Sequence, residues 1–97
     1  MITEIKHFES FLRWGIQQLE TGYRVEIFDK EFYDGGYRSE RGYYSFIESD
    51  KAPNVVAALI IALKQVKQHS LHPAAIQRAI EAQYKRADSQ LSLAFDG

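Results

Sequence analysis

The groups in this sequence that first suggest proton transfer or metal binding are its three histidines, His7, His69 and His72, and a dense set of six of its 13 carboxylates, Asp29, Glu31, Asp34, Glu40, Glu48 and Asp50. His69 and His72 stand three apart, close enough in sequence to share an ion. They straddle an expected helix end and a pre-proline position, however, and no third ligand is near in sequence, so surface or helix-terminal histidines are the expectation. General acid–base work needs two carboxylates in a cleft with separated pKa values. Carboxylates gathered around a hairpin tip are expected instead to form a solvated rim. Gly35, Gly36 and Gly42 lead into a strand and present no helix N-terminus, so a phosphate-cradling loop is not expected. The absence of cysteine removes thiolate nucleophiles, disulfides and cysteine-based zinc sites together. The expectation is no catalytic residue, no metal, no cofactor, and no enzyme.

Binding is the other use of reactive side chains. Tyr33, Tyr37, Arg38, Arg41, Tyr43 and Tyr44 bring aromatic rings and guanidinium groups into one short stretch. Tyrosine and arginine are enriched at protein interfaces and their hot spots, and the same pair can stack on bases and bridge phosphates. Asp29, Glu31, Asp34, Glu40 and Glu48 surround them and would repel a phosphate backbone, which makes nucleic acid the weakest of these readings. Ordinary hairpin packing is the plain alternative. A protein-interaction or inhibitor module, acting as a homodimer, is the functional one.

The elements that must position these residues follow from period and punctuation. Thr3 can cap a first helix, Glu4 suits its positive end, and Ile5, Phe8, Leu12, Ile16 and Leu19 recur at helical spacing. Glu9 and Arg13 are placed to pair four apart, and Gly22 is placed to end the helix. Tyr23, Val25 and Ile27 then alternate with Arg24, Glu26 and Phe28 as a half-buried strand does. Asp34-Gly35-Gly36 signals a turn, and a second strand is expected within Gly42 to Glu48. Residues Tyr37 to Arg41 can either extend the hairpin or form a longer loop. Pro53 belongs in the first turn of a central buried helix carrying Val55, Val56, Leu59, Ile60, Leu63 and Val66, running to about Gln68. Pro73 starts a last helix with Ile76, Ala79, Ile80, Tyr84 and Ala87 along one stripe, joined to its neighbour by so short a loop that the two must be antiparallel.

The expectation is one α+β domain over residues 1–88 in the order α-β-β-α-α, an antiparallel hairpin packed on three helices, followed by a tail over 89–97. A length of 97 residues suits one domain with one modest core, and 45% apolar with 26% charged residues is an ordinary globular balance. Residues 1–50 carry six Lys/Arg against ten Asp/Glu, giving −4, and residues 51–97 carry six against three, giving +3. Such an imbalance lets the halves attract one another, or a second copy. The longest apolar run, Val55 to Leu63, is nine residues where a membrane span needs about 20, and the first residues lack the pattern of a signal peptide. A soluble cytoplasmic protein with no membrane partner is expected.

The tail carries the sharpest motif. Gln90-Leu91-Ser92-Leu93-Ala94-Phe95 has glutamine first, leucine second and fourth, serine third and phenylalanine sixth. It resembles the hexapeptide with which bacterial replication and repair proteins dock on the β sliding clamp. The resemblance covers six residues of 97 and implies no family or fold. It implies a small accessory protein, of the kind carried by bacteria, phages or plasmids. Gln90 would hydrogen-bond at the rim of the clamp's pocket, next to Leu91, while Leu93 and Phe95 fill its apolar subsites. An extended peptide with apolar anchors is a physically sound docking device. The alternation of Leu91, Leu93 and Phe95 is equally the pattern of a third strand with one face buried.

Overall fold

A computed structural model describes residues 2–9, 12–32 and 38–96, with side chains described within 2–9, 12–30 and 40–88. The chain runs β1 (Glu4–Glu9), β2 (Leu12–Gln18), β3 (Gly22–Phe32), β4 (Arg38–Glu48), α1 (Val55–Lys67) and α2 (Pro73–Asp96). The four strands form one antiparallel sheet in sequential order. The α+β class stands. The order α-β-β-α-α, with three helices on a two-stranded hairpin, is overturned.

The error lies in the first segment, which is a β-hairpin and not a helix. Leu12 and Ile16 fit a helical stripe and a strand face equally, because a spacing of four satisfies both periods. Trp14 breaks the tie. Leu12, Trp14 and Ile16 are all 2% exposed or less, a period of two that a helix would break by turning the indole away from the core. The added hairpin also relieves a two-stranded sheet of its marginal stability. Thr3 caps no helix; its Oγ1 accepts from the Gln18 backbone N–H at 3.0 Å across the β1–β2 pair. Gly22, expected to close that helix, opens β3 opposite Glu48.

The rest follows its expected pattern more closely. Tyr23, Val25 and Ile27 face inward, and β4 pairs with β3 from Arg38 opposite Phe32 to Glu48 opposite Gly22, so Arg38 to Arg41 extend the hairpin. The turn expected at Asp34-Gly35-Gly36 lies outside the described residues. Pro53, expected in the first turn of α1, lies just before it instead: the helix begins at Val55, and Asn54 caps it by accepting from the Ala57 N–H at 2.9 Å. Lys64 and Lys67 sit in its last turn, where positive charge opposes the helix dipole. The loop between the helices is short and α2 packs antiparallel on α1, as expected.

One core joins the helices to one side of the sheet: Leu12, Trp14, Ile16, Val25 and Ile27 against Leu59, Ala62, Leu63, Ile76 and Ala79. At the β1 edge, a bulge between His7 and Glu9 turns both Phe8 and Glu9 toward the helices. Phe8 there stacks on Trp14 with centroids 5.7 Å apart, and Glu9 accepts from Arg78 of α2 at 2.9 and 3.1 Å. Arg86 of α2 reaches Glu4 of β1 at 2.7 Å.

α2 continues through residues 89–96, so a third strand from the tail does not form. Nothing between Pro73 and Gly97 breaks a helix, and extending one already nucleated costs less than starting a new strand. The side chains of Gln90, Leu91, Leu93 and Phe95 lie outside the described residues.

Candidate functional site

Strand alternation divides the sheet's side chains between two faces. The helices cover one. On the other, paired positions stack into rows across the strands: His7, Arg13, Phe28 and Gly42; Ile5, Gly15, Glu26 and Tyr44; Gln17, Arg24 and Phe46. No described element covers this second face. Tyr44 is 68%, Ile5 64% and Phe46 51% exposed, and three large apolar side chains held open on one face are the informative observation about this surface.

The rings are held in place. Arg13 lies over the Phe28 ring at 4.0 Å and closes a two-pronged ion pair with Glu40, at 3.0 and 2.7 Å. That hydrogen-bonded guanidinium holds the Glu40 carboxyl below the usual carboxylate range, and Glu40 in turn raises Arg13. Tyr44 meets Phe28 edge-on, with centroids 6.2 Å apart. A Cβ on Gly42 would come within 3.0 Å of the Tyr44 hydroxyl, so the glycine gives that ring room to lie back along β4. Phe46 leans toward Gly22, where a Cβ would stand 2.9 Å from its ring. Gly15 leaves a recess of about 170 Å³ lined by Ile2, Gln17, Arg24 and Glu26. A shallow depression of about 430 Å³ runs beside it, between Arg24, Glu26, Tyr44 and Phe46.

The charge on this face is balanced. Among the described residues, Arg13, Arg24 and Lys30 offset Glu26, Glu40 and Glu48. A phosphate-binding surface requires an excess of positive charge, whereas an even mixture of signs around aromatic rings suits a protein partner.

The expected Tyr/Arg cluster is divided by the same alternation. Tyr44 is on the open face. Tyr43 is on the helix side, half-buried, with its hydroxyl donating to the His69 carbonyl at 2.9 Å. Arg41 pairs across the strands with Asp29, in the row facing the helices. Tyr33 and Tyr37, and the side chain of Arg38, lie outside the described residues. Phe46, Phe28, Arg24, Arg13 and Ile5 were not singled out as a surface. The signal for most of them was in the sequence: Arg24, Glu26 and Phe28 alternate out of phase with Tyr23, Val25 and Ile27, as Tyr44 and Phe46 do with Ile47.

The carboxylates are also reassigned. Asp29 is no part of a solvated rim; it is fully buried and accepts from the Ser70 hydroxyl at 2.7 Å and the Leu71 N–H at 3.0 Å. Ser70 Oγ accepts from the His72 N–H at 2.9 Å, and His72 Nε2 lies 2.9 Å from the Lys30 carbonyl. Serine, histidine and aspartate thus meet without the order of a catalytic triad, because the serine donates directly to the aspartate and not to the imidazole. Asp29 pins the α1–α2 loop to the sheet. No group of three or more histidines and carboxylates is placed to hold a metal ion, and no helix is long and apolar enough to cross a membrane, among the described residues. No family model, curated protein or solved structure matches the chain, so its function must be read from this geometry alone.

Proposed function

We propose that the protein is a binding module, not an enzyme, that engages a protein partner through the open face of its sheet. The observation that carries this is the exposure of Tyr44 and Phe46, fixed two residues apart on β4 beside Arg24 and next to the half-buried Phe28. Rigid rings lose little conformational entropy on contact and supply the apolar anchors of interface hot spots. The balanced charge around them favours protein over nucleic acid. Site-specific photo-crosslinking from position 46 in cells tests it, with Leu71, exposed in the α1–α2 loop, as the control position. A discrete protein adduct at 46, absent at 71 and competed by the unlabelled chain, is the expected result. A nucleic-acid adduct, or equal labelling at both positions, would refute it.

The hexapeptide Gln90 to Phe95 supports a second reading, a small accessory protein docking on the bacterial replication sliding clamp. The backbone there is helical, so docking in extended form requires the last turns of α2 to unwind. Titration of a purified clamp with the chain and with a folded Gln90→Ala, Leu93→Ala, Phe95→Ala variant separates the cases. Saturable binding lost in the variant supports docking; no binding by the intact chain removes it.

A further inference from the structure

The register of β3 and β4 gives the open face a symmetry of its own. Glu26 stands opposite Tyr44, and Arg24 stands opposite Phe46, in adjacent rows of the same face. Consider a two-fold axis in the plane of contact, perpendicular to the strands and midway between these rows. It places Arg24 of one copy on Glu26 of the other, and Glu26 on Arg24. It places Tyr44 on Phe46, and Phe46 on Tyr44. On β2 it places Gln17, opposite Arg24, over the recess left by Gly15, opposite Glu26. Beside the axis, the rings of Tyr44 and Phe46 meet each other and the charges of Arg24 and Glu26 meet their opposites, which is the self-complementarity an isologous interface requires.

We infer that the occupant of the open face is a second copy of this chain, packed sheet on sheet about that axis; this rests on the proposal that the face is a protein-binding surface. Neither Arg24 nor Glu26 has a salt bridge within the chain among the described residues, whereas Arg13 is taken by Glu40. The symmetry gives each of these two side chains a partner of opposite sign. About this axis the rows from Gly22 to Phe28 on β3, and from Gly42 to Glu48 on β4, face one another. They span roughly 24 Å along strands that together span about 15 Å, on the order of 350 Å² per copy and about 700 Å² in the pair, the size of a weak, transient contact. Sheets packed this way keep their strands within about 30° of parallel or antiparallel, so the paired rows stay in contact near the axis.

The symmetry supplies a test that distinguishes this interface from any other. Arg24→Glu leaves two acidic residues on the face, and Glu26→Arg leaves two basic ones. Each variant alone faces like charge across the axis and should weaken self-association at least about a hundredfold in sedimentation equilibrium, with the unfolding midpoint of the monomer retained. Mixed in equal amounts, the two variants restore both ion pairs and should form a heterodimer within about tenfold of the wild-type affinity. The mixture also controls for folding, because a misfolded variant cannot restore association. A wild-type chain that stays monomeric at about 0.1 mM overturns the inference. So does a dimer indifferent to both substitutions, which would place the contact at the β4 edge or on the helices. If the wild type is monomeric while position 46 still crosslinks to a different protein, self-association fails and the binding-module reading survives. If the monomer instead binds a fluorescent single-stranded oligonucleotide in a manner lost with Tyr44→Ala, both fall.

Discussion

Replacing Asp29 by alanine should cost the protein more than any other single change at a polar residue. The carboxylate is fully buried, and its Oδ2 accepts two hydrogen bonds, from Ser70 Oγ and the Leu71 N–H. Hydrogen bonds to a charged acceptor contribute about 1.5–3 kcal/mol each, so the pair supplies roughly 3–6 kcal/mol. Against that stands the cost of keeping a carboxylate from water when Oδ1 has no hydrogen-bond partner among the described residues, of order 1–3 kcal/mol. Taken at mid-range, the difference leaves a net loss of about 2.5 kcal/mol in Asp29→Ala. For a chain of this size that lowers Tm by roughly 10–20 °C. Asp29→Asn can place its carbonyl oxygen where Oδ2 lies and keep both bonds, so it should cost about 1 kcal/mol. Trp14, the sole tryptophan and 1% exposed, reports urea unfolding directly by fluorescence. The two variants should shift the midpoint with an unchanged m-value. An Asp29→Ala loss below about 0.5 kcal/mol, or equal losses in both variants, would refute the assignment of Asp29 as the acceptor that anchors the loop.

Gly22→Ala should destabilise by about 1–3 kcal/mol, because its Cβ would meet the Ile47 carbonyl oxygen at 2.3 Å and the backbone itself must move. At Gly15 the nearest atom to a new Cβ is 3.9 Å away, so Gly15→Ala should be neutral or stabilising by up to about 1 kcal/mol; parallel urea titrations compare the two. Glu9 and Glu40 are held below the ordinary carboxylate range, chiefly by hydrogen bonds from Arg78 and Arg13. Their folded-state pKa values lie below the unfolded ones, so the ion pairs contribute stability above about pH 4.5 that is lost as pH falls through the lowered folded values. Urea midpoints measured from pH 6 to pH 2.5 should fall less steeply in a Glu9→Gln, Glu40→Gln variant than in the wild type, and equal slopes would remove these two pairs as contributors.

The sequence by itself determined what rests on local period and punctuation. Pro53 and Pro73 mark two helix starts, the first to within two residues, and the broad apolar face from Val55 to Val66 can only be a core helix. The alternation of Tyr23, Val25 and Ile27 settles β3 because no helical stripe competes with it. Residues 4–18 offered both periods at once. Leu12 and Ile16 belong to either, and the choice fell to strand only when Trp14 found Phe8 and the helices to pack against. That is long-range burial overriding a local pattern. Asp29 is the same lesson in polar form: its neighbours in sequence are charged, and only the return of the chain at Ser70 and Leu71 makes it a buried acceptor. The open face is a tertiary result too. Alternation assigns Tyr44, Phe46, Arg24 and Glu26 to one side of the sheet, but which side the helices cover depends on where α1 docks, and the row that joins Arg24 to Phe46 exists only through the register of β3 with β4.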